Sequence, residues 1–131
     1  MTGFPKNGLF VLALGAASIA IGAPAYAHGS TKPKHGGIVQ IVGETSFELA
    51  AKPTGVELYL LDDGDEIASV GVNAKLSIVN AEGAKSDVAL KPAGANKLEA
   101  KGVKIAKGSK VTVLVTEKAS QAQSRVTFTI N

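Results

Sequence analysis

From Gly37 onward, apolar residues come in short runs that alternate with polar ones at a period of two, and no stretch carries a helical stripe. Val126, Phe128 and Ile130 alternate with Arg125, Thr127 and Thr129, the pattern of a strand with one face in a core. Val111, Val113 and Val115 alternate with Thr112, Leu114 and Thr116, so this strand is apolar on much of both faces and is expected to lie centrally. Val56, Leu58 and Leu60 repeat the spacing. A chain patterned this way has to bury one side of each strand against another strand layer.

Gly, Asn, Asp and Pro separate the runs, and the spacing predicts strands over 38–42, 46–51, 56–61, 74–79, 86–91, 97–100, 110–117 and 124–130. Asp62-Asp63-Gly64-Asp65 and Asn80-Ala81-Glu82-Gly83 connect strand pairs with residues that tolerate positive φ, and Pro92-Ala93-Gly94-Ala95-Asn96 makes a longer turn. The expected class is all-β, a single immunoglobulin-like β-sandwich of about seven to eight antiparallel strands over residues 37–131. An open barrel is the second architecture.

Ahead of this body the composition changes. Lys6 is the only charge in residues 1–27, and residues 9–23 form an uncharged run of 15, two of them glycine. Pro24 ends the run, and Ala25-Tyr26-Ala27 places small residues at the −3 and −1 positions of a signal-peptidase site. Spanning a bilayer takes roughly 20 apolar residues. Residues 1–27 therefore read as a cleaved signal peptide rather than an anchor, which makes the mature chain periplasmic and without a membrane span. Residues 28–36, polar and containing Lys32-Pro33-Lys34, read as a flexible N-terminal arm.

Cleavage would make His28 the N-terminus. Its α-amine and imidazole would then chelate one ion, and His35, seven residues on, would add a second imidazole. A planar, nitrogen-rich set suits Cu(II) or another divalent transition metal. The structural alternative for His35 is a polar residue at a strand entrance, where Gly36-Gly37 permits a bend. The chain has no cysteine, which excludes both a disulfide framework and a thiolate metal site, and its only methionine is Met1. Glu44, Glu48 or Asp63 would be the source of any oxygen ligand. Asp62, Asp63, Asp65 and Glu66 lack the spacing of a calcium loop and read as a solvated hairpin tip.

Other functions find little support. No Gly-x-Ser-x-Gly elbow is present, both histidines lie in the arm, and general acid–base catalysis needs positioned groups, so no enzyme is expected. Without Lys6, 13 basic residues face 11 acidic ones; the lysines are scattered and the body's aromatics are Phe47, Tyr59 and Phe128, which argues against nucleic acid.

Several stretches, Lys32-Pro33-Lys34-His35-Gly36-Gly37-Ile38-Val39-Gln40, Phe47-Glu48-Leu49-Ala50-Ala51-Lys52-Pro53, Leu58-Tyr59-Leu60-Leu61-Asp62 and Leu90-Lys91-Pro92-Ala93-Gly94-Ala95-Asn96-Lys97-Leu98-Glu99-Ala100, carry a resemblance. Together with Arg125-Val126-Thr127-Phe128 they resemble small exported proteobacterial β proteins associated with heavy-metal efflux, and the β module of periplasmic adaptor subunits of resistance–nodulation–division pumps. The N-terminal histidine separately resembles the amine-and-imidazole copper site of CopC-type copper-resistance proteins, matched here at His28 alone. The resemblance implies a metal-binding or accessory role in heavy-metal resistance, with an efflux adaptor or other envelope protein as partner. The alternative is a metal-independent module that docks on such a partner through a sheet edge, with 110–117 as the candidate if it lies at one.

Overall fold

A computed structural model of the chain describes Gly3 and residues 30–131. The remainder of the expected signal peptide, and His28, lie outside the described residues. The strands are β1 (Ile38–Val42), β2 (Thr45–Lys52), β3 (Gly55–Asp62), β4 (Asp65–Glu66), β5 (Val72–Val79), β6 (Lys85–Pro92), β7 (Lys97–Lys101), β8 (Lys110–Glu117) and β9 (Gln123–Thr129), with a 3-10 turn at Ser69–Gly71. Every strand expected from the sequence is present; the two-residue β4 and the 3-10 turn were not anticipated. Among the described residues no helix is long and apolar enough to cross a membrane.

All pairings are antiparallel, and one path of hydrogen-bonded neighbours runs β1-β2-β3-β7-β6-β5-β8-β9, with β4 paired to β3. Long ladders build two halves, β1-β2-β3-β7 and β6-β5-β8-β9. A short seam joins them, in which Lys91 faces Glu99 and Pro92 faces Leu98. At the other flank β1 approaches β9, so the sheet is nearly barrel-shaped. The all-β, antiparallel expectation is met. The immunoglobulin-like sandwich is not confirmed, because a single ladder path links every strand. The strand at 110–117 is interior as expected, paired with β5 on one side and β9 on the other, and so offers no edge for docking.

Alternation explains the core. Phe47, Leu58, Leu60 and Leu98 from one half meet Leu76, Val111, Val113 and Phe128 from the other, all without solvent exposure. The turns behave as their residues require: Asp63 (φ 46°) and Gly64 (φ 87°) form a two-residue hairpin loop between Asp62 and Asp65. Asn80 closes the β5–β6 turn by accepting the N–H groups of Glu82 and Ala84 on its side-chain oxygen, at 3.1 and 2.8 Å.

Candidate functional site

The site forms where the arm meets the outer face of the first half. β2 departs from simple alternation, since Phe47, Glu48 and Leu49 are all buried. Phe47 and Leu49 point into the core, so Glu48 points outward and is covered by something else. That cover is the arm. One Glu48 carboxylate oxygen accepts the Lys34 N–H at 3.0 Å; the other accepts the N–H groups of His35 at 2.7 Å and Gly37 at 3.1 Å. A carboxylate that is only 6% exposed is tolerated because donors replace its water. Gly37 allows the approach: a Cβ there would sit 2.4 Å from the Leu49 carbonyl oxygen.

The His35 backbone is held at both ends, since its carbonyl accepts from the Lys52 ammonium at 2.7 Å. Its imidazole lies flat on Tyr59, with ring centroids 3.5 Å apart and planes 5° from parallel. Imidazole lone pairs lie in the ring plane, so stacking orients the ring without covering its nitrogens. Tyr59 sits directly across from Glu48 on β2 and from Lys97 on β7. Its hydroxyl donates to Glu57, whose carboxylate also lies 3.6 Å from the Lys97 ammonium.

These contacts set the charges. Burial, reinforced by the hydrogen bond to Glu57, pushes the Tyr59 phenol up to about 12. Donation by Tyr59, helped by Lys97, holds the Glu57 carboxyl below its ordinary value against the opposing effect of burial. Tyr59 is therefore a neutral phenol at ordinary pH, a stacking platform and donor rather than a base or an anionic ligand.

Beside this stack runs a groove of about 290 Å³ whose walls include Ser30, Lys32, Lys34 and His35 from the arm and Tyr59, Leu61, Gly64 and Glu66 from the sheet. The arm thus climbs from Gly37 over β2 and β3 toward the β3–β4 hairpin. Of the expected ligands, His35 is placed on this face and His28 lies outside the described residues. Of the expected oxygen donors, Glu48 is occupied by backbone N–H groups, while Glu44 and Asp63 are not in the groove. Glu66 is, although its sequence context is that of a solvated hairpin tip. Among the described residues no group of three or more His, Cys, Asp or Glu side chains is placed to hold a metal ion. Tyr59, Glu57, Lys52 and Lys97 also belong to the site, and none of them is among the ligands expected from the sequence. No local signal marks them: Glu48 falls where period-two alternation puts an outward polar residue, and its burial comes from the arm. No protein-family model, no curated protein and no solved structure matches the chain.

Proposed function

We propose that the protein is a periplasmic metal-handling accessory of heavy-metal resistance, binding Cu(II) or another divalent transition ion at the start of its mature chain. His28 supplies α-amine and imidazole, and His35 supplies a second imidazole. The supporting observation is the Glu48 clamp, which fixes the arm and lays the His35 ring on Tyr59 at the wall of the groove. Ser30 lines the same groove as His35 and Glu66, and His28 is two residues before it, a reach of about 7 Å in extended chain. Glu66 replaces Glu48 as the oxygen donor that belongs to this reading. On it the protein carries an ion and hands it on, without catalysing a reaction.

The test is a Cu(II) titration of protein recovered from periplasm, its N-terminal residue confirmed as His28, followed by electron paramagnetic resonance. The expected result is one bound equivalent with a nitrogen-rich tetragonal signal, lost on acetylating the α-amine and weakened by His35→Ala. Equal Cu(II) binding by a His28→Ala variant would refute the assignment.

A second reading, metal-independent docking on an efflux adaptor or other envelope protein, draws on β1. This terminal strand of the ladder path carries no charge, and its Ile38 and Val42 are 38% and 43% exposed. Adaptor binding that ignores chelator and both histidine substitutions but is lost in Ile38→Lys would favour it.

A further inference from the structure

The proposed metal groove lies outside the barrel. A separate cavity of about 460 Å³ opens at the end of the interior where β3 and β8 finish. Its floor is Phe47, Leu60, Val72 and Val115; Ile67 and Ala68 approach from the segment before β5, and Ala119 and Ala122 from the β8–β9 turn. It shares no lining residue with the groove, because neighbouring residues of β2 and β3 point to opposite faces. The mouth of a β-barrel is a recurrent place for small-molecule sites, and the volume falls within their range of about 300–1,000 Å³.

The chemistry of the rim selects the ligand. On β3, Leu58 and Leu60 are core residues, and the next inward position is Asp62; on β8, Val113 and Val115 are core residues, and the next is Glu117. Two strands on opposite sides of the mouth therefore end their core-facing rows in carboxylates, and both line the cavity. The register puts Glu44, Asp63, Asp65 and Glu66 at the same end of the barrel. Lys118, in the turn after β8, has its ammonium on the Val70 carbonyl oxygen at 2.9 Å. Lys52, Lys85, Lys101, Lys104, Lys107 and Lys110 lie at or beside the strand ends of the opposite pole. Glu82 also lies at that pole, and Lys32 and Lys34 line the outer groove beside Glu66, so the two ends differ in balance, with the apolar cavity opening at the more acidic one.

We propose that this mouth binds a cationic amphiphile, a small molecule with an apolar body and an ammonium head. The body enters between Ile67 and the β8–β9 turn, displacing water from Ala68, Ala119 and Ala122, and the head stays at the rim between Asp62 and Glu117. An anionic amphiphile of the same length is rejected by the same carboxylates.

Calorimetric titration with octyltrimethylammonium and with octyl sulfate, each below its micelle concentration, tests the proposal on the mature chain. Saturable binding of the cation, weakened by salt and absent for the sulfate, is expected. Asp62→Asn with Glu117→Gln should weaken it about tenfold, the loss expected of two rim charges. Ala122→Trp, at an exposed turn position, should abolish it by filling the cavity while leaving the thermal unfolding transition intact; Ala119→Trp serves if that variant fails to fold. Equal binding of both amphiphiles, or cation binding that survives the tryptophan substitutions, would overturn the assignment. So would salt-sensitive self-association of the protein alone that the two rim substitutions remove, because the lysine pole of a second copy would then be the occupant. Cu(II) binding at His28 is read separately, so failure of either assignment leaves the other standing.

Discussion

The two halves of the nearly barrel-shaped sheet are alike inside and different outside. Both contribute alternate apolar residues to one core. The outer face of β5, β8 and β9 carries Lys75, Ser77, Thr112, Thr127 and Arg125, and its one side-chain hydrogen bond among the described residues joins Thr112 to Thr127 at 3.1 Å, in the open. The outer face of β2, β3 and β7 instead carries Glu48, Tyr59, Glu57 and Lys97, linked to each other or to the arm. The same alternating backbone thus serves as a solvated wall on one side and as a platform on the other. What makes the platform is the non-strand chain at residues 30–37 laid over it.

Equivalence inside is the first thing to test, and it carries the largest effect. Phe47 and Phe128 come from opposite halves and both are fully buried. Phe47→Ala and Phe128→Ala should each cost about 3–5 kcal/mol in chemical denaturation, within one cooperative transition. A biphasic transition in either variant would mean that the short β6–β7 seam does not couple the halves.

This interior was legible in the sequence, and the platform was not. Strand positions followed from period-two alternation, which depends on nothing beyond each strand's own residues. All eight expected strands therefore appear, with β1 and β8 at the expected bounds. How the strands close depends on side-chain volumes and on which ladders meet, as at Lys91 and Glu99, and alternation says nothing about that. The site was harder still. The stack of His35 on Tyr59 joins residues 24 apart through a loop that lies on a sheet, and neither residue breaks a local pattern. Glu48 breaks none either: it holds an outward position of β2, and what buries its carboxylate is three backbone N–H groups of a segment distant in sequence.

The contrast between platform and wall predicts the next largest effect. Glu48→Ala removes the acceptor of three N–H groups and releases the arm, which water then solvates, so the cost should be about 2–3 kcal/mol. Amide exchange at Lys34, His35 and Gly37 should accelerate while that of β8 stays unchanged relative to global stability. Thr112→Ala, on the wall, should change stability by no more than about 0.5 kcal/mol. Equal costs at the two positions would erase the distinction between the faces.

The smallest effect is the most specific to the platform, because it concerns two titrating groups coupled by one hydrogen bond. Glu57 has its carboxyl lowered, so its contribution to stability is present above the ordinary value of 4.5 and is lost as pH falls through the lower folded value. Tyr59 is raised, so its contribution is present below 10 and is lost as pH climbs through about 12. Tyr59→Phe keeps the aromatic ring under His35 but removes the donor, and should cost about 1 kcal/mol at neutral pH. It should also move the Glu57 carboxyl, followed by carbon-13 NMR, back up toward 4.5. Tyr26 and Tyr59 are the only tyrosines, so phenolate absorbance in a chain cleaved after residue 27 reports Tyr59 alone. A midpoint near 10 would show that the phenol is neither buried nor donating to Glu57, and the platform would then be a face as solvated as the wall opposite.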